Sequence, residues 1–161
     1  MAIVLDLLRH GSALPAGPAG DRQRELSPEG LRGLARLAAR IEREAWRADR
    51  VFSSPYLRAQ QSAGILAGAS NPAVAVETLK ALEPEREPSE VVAALSRHGI
   101  AAGHVLVVGH QPLLGLLVAH LTGVEKGLSP GSLVRVHCEA GMSPGSGRVT
   151  WTLGPEDLEP A

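Results

Sequence analysis

The sequence predicts a three-layer α/β/α sandwich with a mostly parallel central sheet. Short apolar runs typical of buried strands alternate with longer segments in which apolar residues recur at helical spacing. Near the C-terminus two strand-like segments flank a Gly/Ser/Pro-rich turn, which indicates a closing β-hairpin and hence a mixed sheet. With 161 residues and no internal repeat or long linker, the chain is expected to form a single domain over residues 1–161.

The first half of the chain contains apolar runs and two helix starts. In order, the predicted elements are a strand at 2–8, a loop at 12–26, a helix from Ser27 to about Ala48, a strand at 50–53, a helix that begins at Ser54-Pro55 and ends near Gly68, and a strand at 73–77. Ser27 is typical of an N-cap, and Pro28 suits the first helical position because its φ is fixed. The spacing of apolar residues in this helix places its buried face at Leu31, Leu34, Ala38, Ile41 and Ala45. Asp6 conflicts with full burial of the first strand, because an unpaired buried carboxylate is costly.

The second half continues the alternation and ends in the hairpin. Its predicted elements are a loop at 80–88, a helix from Ser89 to near Gly99, a strand at 104–108, a helix from Pro112 to about Leu121, and hairpin strands at 132–139 and 148–153 around a turn at 140–147. Strands that are linked through helices run parallel, so their carboxyl ends meet at one edge of the sheet.

The composition excludes several classes of function. Apolar residues make up 44% of the chain and aromatic residues only 2%, so the core is expected to be aliphatic. A formal net charge of −1 gives no general attraction to nucleic acid or to an anionic membrane. The lone cysteine, Cys138, excludes an internal disulfide and a multi-cysteine zinc site. The apolar start of the chain is short and contains Asp6, so neither a signal peptide nor a membrane span is expected, and the predicted location is the cytoplasm.

Three polar stretches that follow predicted strands hold the residues with chemical potential. They are LRHG at 8–11, SSPYLRAQQS at 53–62 and VGHQP at 108–112. Ligands of open α/β sheets bind beyond the carboxyl ends of the strands, so Arg9, His10, Arg58 and His110 are expected to converge there. The planar guanidinium of arginine matches a phosphate group, and a neutral histidine can act as a nucleophile. The combination predicts a phosphate pocket with its own nucleophile.

These stretches, together with the closing hairpin, resemble the histidine phosphatase superfamily, also called the phosphoglycerate mutase-like family. Within it, the chain is most similar to the small phosphohistidine phosphatases of the SixA type. The resemblance implies that His10 is the nucleophile and becomes a transient phosphohistidine. It also implies that Arg9 and Arg58 clamp the phosphoryl oxygens and that His110 donates a hydrogen bond to one of them. Gly11 would let the backbone pass close to the phosphate and would hold the His10 ring through its main chain. No metal and no cofactor are implied.

The general acid is the least defined part of the predicted site. Larger members of the family use a glutamate to protonate the departing alkoxide, and Glu83 is the candidate for that role here. No sharp motif places it, so a solvated loop glutamate is an equal alternative. A phosphohistidine substrate relaxes the demand for an acid, because imidazole leaves more easily than an alkoxide. Only 52 positions separate Arg58 from His110, which leaves no room for a long lid and favours a histidine that projects from another protein.

Two other functions remain open on the sequence alone. A small-molecule phosphomonoesterase would use Glu83 as its acid, and a non-catalytic module would bind phosphohistidine without turnover. A binding module has no need of a nucleophile, so the presence of His10 between two arginines favours an enzyme. The expected substrate is a phosphohistidine-bearing signalling protein, and neither nucleic acid nor a membrane is an expected partner.

The remaining polar residues are expected to be structural. Arginines at three- and four-residue spacing follow the first long helix, at Arg32, Arg36, Arg40, Arg43 and Arg47. A solvated helix face explains this stripe better than a docking site for an acidic partner. Ser54 is explained as a helix cap, and Cys138 as a small buried hydrophobic residue.

Overall fold

Six strands form one mixed sheet within residues 2–158, the part of the chain that the computed structural model describes. The strands are β1 (Ile3–Arg9), β2 (Arg50–Ser53), β3 (Val76–Thr78), β4 (Gly103–Gly109), β5 (Leu133–Cys138) and β6 (Gly147–Leu153). Their order across the sheet is β3-β2-β4-β1-β5-β6. The first four pair in parallel, whereas β5 is antiparallel to β1 and β6 is antiparallel to β5. The predicted mixed sheet with a C-terminal hairpin is therefore confirmed.

Helices cover both faces of the sheet and form two separate cores. They are α1 (Pro28–Arg43), α2 (Leu57–Ser70), α3 (Pro88–Arg97) and α4 (Leu113–Thr122). On one face, α3 and α4 pack on the alternate β1 residues Ile3, Leu5 and Leu7. On the other face, α1 and α2 pack on Leu8 and on neighbouring residues of β4. The predicted three-layer sandwich is confirmed, and its cores are mainly aliphatic. None of the helices in residues 2–158 has both the length and the hydropathy needed to span a bilayer.

The start of α1 also braces the loop that follows β1. Ser27 caps the helix as predicted, because its Oγ accepts a hydrogen bond of 3.0 Å from the N–H of Gly30. The backbone N–H of Ser27 donates to the carbonyl of Ser12 at 2.9 Å. A Cβ at Gly30 would lie 2.1 Å from the same carbonyl oxygen, so only glycine allows this contact. The segment just beyond His10 is thereby held against the helix.

The end of α1 differs from the sequence prediction. The helix ends at Arg43 rather than near Ala48, because Ala45 has a φ of 53° and turns the chain out of the helix. The turn allows Trp46 to be buried beside Ala48. Leu31, which was predicted to face the core, is 46% exposed. Ala45, also predicted to be buried, is exposed and lies beyond the helix. The helical pattern therefore predicted the start of α1 and the burial of Leu34 and Ile41, but it missed buried Leu37 and the stop.

Two further boundaries differ from the sequence prediction. The helix after β2 begins at Leu57 and has Tyr56 as its N-cap, so Ser54 is not the cap residue. Ser54 Oγ instead accepts a hydrogen bond of 3.2 Å from the N–H of Tyr56 within a turn. The strand predicted at 73–77 is shorter and later, at Val76–Thr78, where it pairs with β2.

Asp6 is fully buried in β1, although an unpaired carboxylate would be costly there. Arg135 on the neighbouring β5 donates to both carboxylate oxygens, at 2.9 and 3.0 Å. His104 of β4 contacts the same carboxylate from the other side, and Trp46 contacts His104. A buried charge that is paired and hydrogen-bonded is tolerated, so the strand keeps its central place in the sheet.

Candidate active site

A cavity of about 410 Å³ lies at the carboxyl ends of β1 and β4. It brings together the four residues that the motifs predicted, Arg9, His10, Arg58 and His110, all of which line it. The other lining residues come from short loops and are Ser12, Ala13, Asp21, Arg24, Pro84, Glu85, Gln111 and Pro130. The cavity therefore has a strongly cationic wall, with two carboxylates also present.

His10 is held in one tautomer and is 8% exposed. Its Nδ1 lies 2.7 Å from the carbonyl oxygen of Gly11. A carbonyl can only accept, so Nδ1 carries the proton and Nε2 keeps its lone pair. Arg58 Nε donates to that Nε2 at 3.2 Å. Burial lowers the pKa of His10 to about 4, reinforced by the charges of Arg58 and Arg9 and opposed only by the Gly11 hydrogen bond. The ring is neutral at pH 7, as a nucleophile must be.

Arg58 is the link between His10 and the loop that follows β1. Besides its contact with His10, it donates from Nη1 to the carbonyl of Asp21 at 2.8 Å and from Nη2 to the Asp21 carboxylate at 3.4 Å. The side chain of Arg58 is only 7% exposed, whereas that of Asp21 is 55% exposed. These three hydrogen bonds fix the orientation of the planar guanidinium. The ammonium group of a lysine could not make the same set of contacts.

Arg9 ends β1 and adds a second cation at the same edge. Its Nη1 donates to the carbonyl of Leu128 at 2.9 Å. Its Nε is buried and has no hydrogen-bond partner within residues 2–158. Burial lowers the pKa of Arg9, and the nearby charge of Arg58 lowers it further. An unpaired buried N–H on a cation that lies beside a second cation is an arrangement that an anion would stabilise.

His110 stands edge-on to His10, with 5.0 Å between the ring centroids. It is 2% exposed, and its Nε2 lies 2.8 Å from Ser54 Oγ. Burial lowers the pKa of His110 to about 3, and the charges of His10 and Arg58 act in the same direction. Because Tyr56 N–H already donates to Ser54 Oγ, the Ser54 hydroxyl is free to donate its proton to His110 Nε2. His110 Nδ1, buried without a partner in the described chain, then carries an N–H.

Gly11, in the loop after β1, packs closely against α1 and α2. Its N–H donates to Ser62 Oγ at 3.1 Å, and its carbonyl holds the His10 ring. A Cβ at this position would lie 3.0 Å from Leu34 Cδ1 and 3.2 Å from Leu26 Cδ2. A side chain here would have to displace these leucine methyls. Gly11 is not among the residues that line the cavity, and its proximity to a bound phosphate stays a prediction.

Glu83 lies outside the set of residues that line the cavity. Its carboxylate pairs with Arg22 at 2.8 Å and with Arg86 at 2.9 Å. The hydrogen bond from Arg22, followed by that from Arg86, lowers the pKa of Glu83. An ionised, paired carboxylate is poorly suited to give up a proton at pH 7, and the role of Glu83 as an acid stays a prediction.

The structure adds polar residues that the motifs did not point to. Ser54, explained from the sequence as a cap, instead contacts His110. Asp21 and Arg24 come from the loop at 12–26, where Arg24 Nη1 donates to Asp21 Oδ1 at 3.2 Å. Glu85 lines the cavity two residues after the candidate acid Glu83. None of the added loop residues lies in a recognisable pattern, so only their position in the fold reveals them.

Outside the cavity, two arginines of the helix stripe have side-chain partners. In the arginine stripe, Arg40 pairs with Glu44 at 2.9 Å and Arg47 donates to Asn71 at 2.9 Å. Cys138 is buried, and burial raises the pKa of its thiol. No group of three or more His, Cys, Asp or Glu side chains within residues 2–158 is arranged to hold a metal ion.

Comparison with known proteins decides the family. The model of the histidine phosphatase superfamily (branch 1) matches residues 5–87, which include Arg9, His10 and Arg58. The chain belongs to the histidine phosphatase superfamily. It is 30% identical over 160 residues to phosphohistidine phosphatase SixA of Escherichia coli (strain K12), with 96% of each chain covered. The predicted resemblance is thus confirmed, and the protein is a phosphatase with a histidine-based mechanism.

Solved structures agree with this assignment. The structure of the protein histidine phosphatase SixA complexed with tungstate matches with a TM-score of 0.83 at 28% identity, covering 96% of this chain and 98% of that one. A phosphoserine phosphatase from Entamoeba histolytica matches with a TM-score of 0.72 at 14% identity, covering 98% of this chain and 100% of that one. The second likeness shows a shared fold only.

Proposed function

We propose that this superfamily member removes phosphate from a phosphohistidine of another protein, through a covalent intermediate on His10. The observation that carries the proposal is the state of His10. It is neutral, its Nδ1–H is fixed on the Gly11 carbonyl, and its Nε2 lone pair lies next to Arg58. The similarity over nearly the whole chain to SixA of Escherichia coli, whose name specifies phosphohistidine, supports this choice of substrate.

In the first step, His10 Nε2 attacks phosphorus in line with the departing nitrogen of the substrate. A bond forms between Nε2 and phosphorus, the phosphorus–nitrogen bond of the substrate breaks, and its electron pair stays on the departing imidazole. Arg58 and Arg9 hold the phosphoryl oxygens, and the N–H of His110 donates to one of them. The arginines are already in place, so little reorganisation accompanies the reaction.

In the second step, water attacks the phosphorus bound to His10. The new phosphorus–oxygen bond replaces the phosphorus–Nε2 bond, inorganic phosphate departs, and His10 returns to its neutral form. Positive charge from the two arginines serves throughout in place of a divalent metal, so the proposed mechanism uses neither a metal nor a cofactor.

The chemistry of the leaving group explains why the proposed reaction does not need a well-positioned general acid. An imidazole ring that already carries a proton on its other nitrogen departs as a neutral molecule. Such a substrate places no demand on Glu83, which the structure pairs with two arginines. The short segments around the cavity also leave access for a histidine borne on a signalling protein, proposed here as the partner in the cytoplasm.

A side-by-side turnover assay tests the proposed function. The protein is offered a phosphohistidine-bearing protein domain, a small phosphoramidate and a panel of phosphomonoesters. The proposal requires the highest kcat/KM on the phosphohistidine domain. Preference for one phosphomonoester would instead identify a small-molecule phosphatase, and binding of phosphohistidine without turnover would identify a recognition module.

A further inference from the structure

The catalytic cavity contains two carboxylates beside its cationic wall. Asp21 comes from the loop after β1 and Glu85 from the loop after β3, and both line the same cavity as Arg9, His10 and Arg58. We call Asp21 and Glu85 the acidic rim. A carboxylate beside a phosphate pocket repels the phosphate group. It favours binding only if it attracts another, positively charged part of the substrate.

Structural pairing does not account for Glu85. Within residues 2–158 its carboxylate makes no hydrogen bond or ion pair, whereas Glu83, two positions earlier, pairs with both Arg22 and Arg86. The same loop thus has one glutamate that pairs with two arginines and one that lines the cavity without a partner within residues 2–158. The free carboxylate is available to a ligand.

Asp21 has a structural role and an exposed face at the same time. Its carboxylate accepts from Arg24 at 3.2 Å and from Arg58 at 3.4 Å, yet the side chain remains 55% exposed. Partial burial tends to raise the pKa of Asp21, but the hydrogen bond from Arg24 and the charge of Arg58 outweigh it, and the net pKa is lowered. Asp21 therefore stays negative at the mouth of the cavity.

We infer that the acidic rim selects a phosphohistidine whose departing ring carries a proton, an inference that rests on the proposed function. A protonated ring is positively charged before the phosphorus–nitrogen bond breaks, and the electron pair of that bond then leaves it neutral. The ordinary pKa of an unmodified histidine ring is about 6.5, so a ring of similar basicity holds this proton only in part at pH 7. Nearby carboxylates favour the protonated ring and so raise kcat/KM.

The same rim disfavours a phosphomonoester. Its departing oxygen gains negative charge in the transition state, and two carboxylates at the mouth of the cavity oppose that charge. The acidic rim therefore raises kcat/KM for a protonated imidazole leaving group and lowers it for an oxygen leaving group. This difference in sign separates a specificity-determining role from a purely structural one, which would affect both substrates alike.

The test compares kcat/KM of three full-length variants on a phosphohistidine peptide and on para-nitrophenyl phosphate. Glu85→Gln removes a charge that has no partner among residues 2–158, and Asp21→Asn removes the other. Glu87→Gln is the matched control, because Glu87 is an exposed residue of the same segment that does not line the cavity. Glu85→Gln should lower efficiency on the peptide by roughly two- to fivefold, as for other exposed charge pairs, and leave it unchanged or raised on the aryl phosphate.

For Asp21→Asn, the informative quantity is the ratio of kcat/KM on the peptide to kcat/KM on the aryl phosphate. Loss of the contact between Asp21 and Arg58 should lower kcat/KM on both substrates, and the ratio cancels that common loss. The ratio should fall, and for both variants the fall should be greater above about pH 6.5, where the free ring is mostly unprotonated. An unchanged ratio, or the same change in Glu87→Gln, would overturn the inference while turnover of the peptide by the wild type upholds the proposed function. A wild type that does not hydrolyse the peptide would refute the proposed function, and the inference with it.

Discussion

Replacing Arg58 with lysine keeps the positive charge of the phosphate pocket but removes its planar fork. Arg58 now contacts His10 Nε2 at 3.2 Å, the Asp21 carbonyl at 2.8 Å and the Asp21 carboxylate at 3.4 Å. An ammonium group on a flexible stem cannot reproduce three donors in one plane. The lysine ammonium would be neither aligned with His10 nor able to present two parallel donors to a phosphoryl group.

The size of the effect follows from the loss of one preorganised donor, which costs about 2–4 kcal/mol in the transition state. At 1.36 kcal/mol for each factor of ten, kcat/KM should fall by about 30- to 1,000-fold. The measurement is steady-state turnover of a phosphohistidine peptide, with circular dichroism to verify that the variant is folded.

Arg86→Lys is the matched control for Arg58→Lys. Arg86 is 41% exposed and pairs with Glu83 and Glu90 outside the cavity, so the change should have little effect on kcat/KM. Near-normal efficiency in a folded Arg58→Lys variant would refute the reasoning, because it would show that the fork of Arg58 is not used on the phosphoryl group.

Four further outcomes are expected. His10→Ala should abolish turnover, and an alkaline quench of the wild type should trap acid-labile phosphate on His10; rapid turnover by the variant would exclude this nucleophile. A chelator should leave kcat/KM unchanged, and activity that is lost in chelator and restored by a divalent ion would contradict the metal-free mechanism. Glu83→Gln should depress phosphomonoester hydrolysis more than phosphohistidine hydrolysis if Glu83 acts as an acid, because general acid catalysis is worth about 10²–10⁴-fold; equal small effects would make it a loop residue. The free energy of unfolding should fall as the pH drops from about 6.5 towards 4. In the folded protein, burial lowers the pKa of His10 to about 4 and that of His110 to about 3, so both rings stay neutral in this range. In the unfolded chain the same rings have an ordinary pKa of about 6.5 and bind protons, which stabilises the unfolded state. Denaturant titrations of a His10→Asn variant should show a shallower fall, and an unchanged slope would argue against a depressed pKa for His10.

Much of the fold could be predicted because its signals are local. Ser27 and Pro28 mark a helix start through their own backbone preferences, and the hairpin strands alternate in polarity over short stretches. The convergence of Arg9, His10, Arg58 and His110 also follows from the order of elements, because parallel strands joined by helices align their carboxyl ends. Periodicity and connectivity are thus enough to place these four residues at one edge.

Pairings between distant residues could not be predicted in this way. Asp6 is tolerated in β1 only because Arg135, 129 positions away, neutralises it across the sheet. Ser54, which the local pattern explains as a cap, instead contacts His110 and determines which nitrogen of that ring holds the proton. No local pattern indicates which distant side chain will become a neighbour.

The amino-acid sequence by itself determined the order of strands and helices and the four residues that meet at the carboxyl edge of the sheet. Only the tertiary structure decided the protonation state of His10, the orientation of Arg58 and, within residues 2–158, which of Glu83 and Glu85 is paired. The reason is that backbone preferences act over a few residues, whereas burial and charge pairing depend on every element packed around a group. A proton on a histidine is governed by those surroundings, and they exist only once the chain has folded.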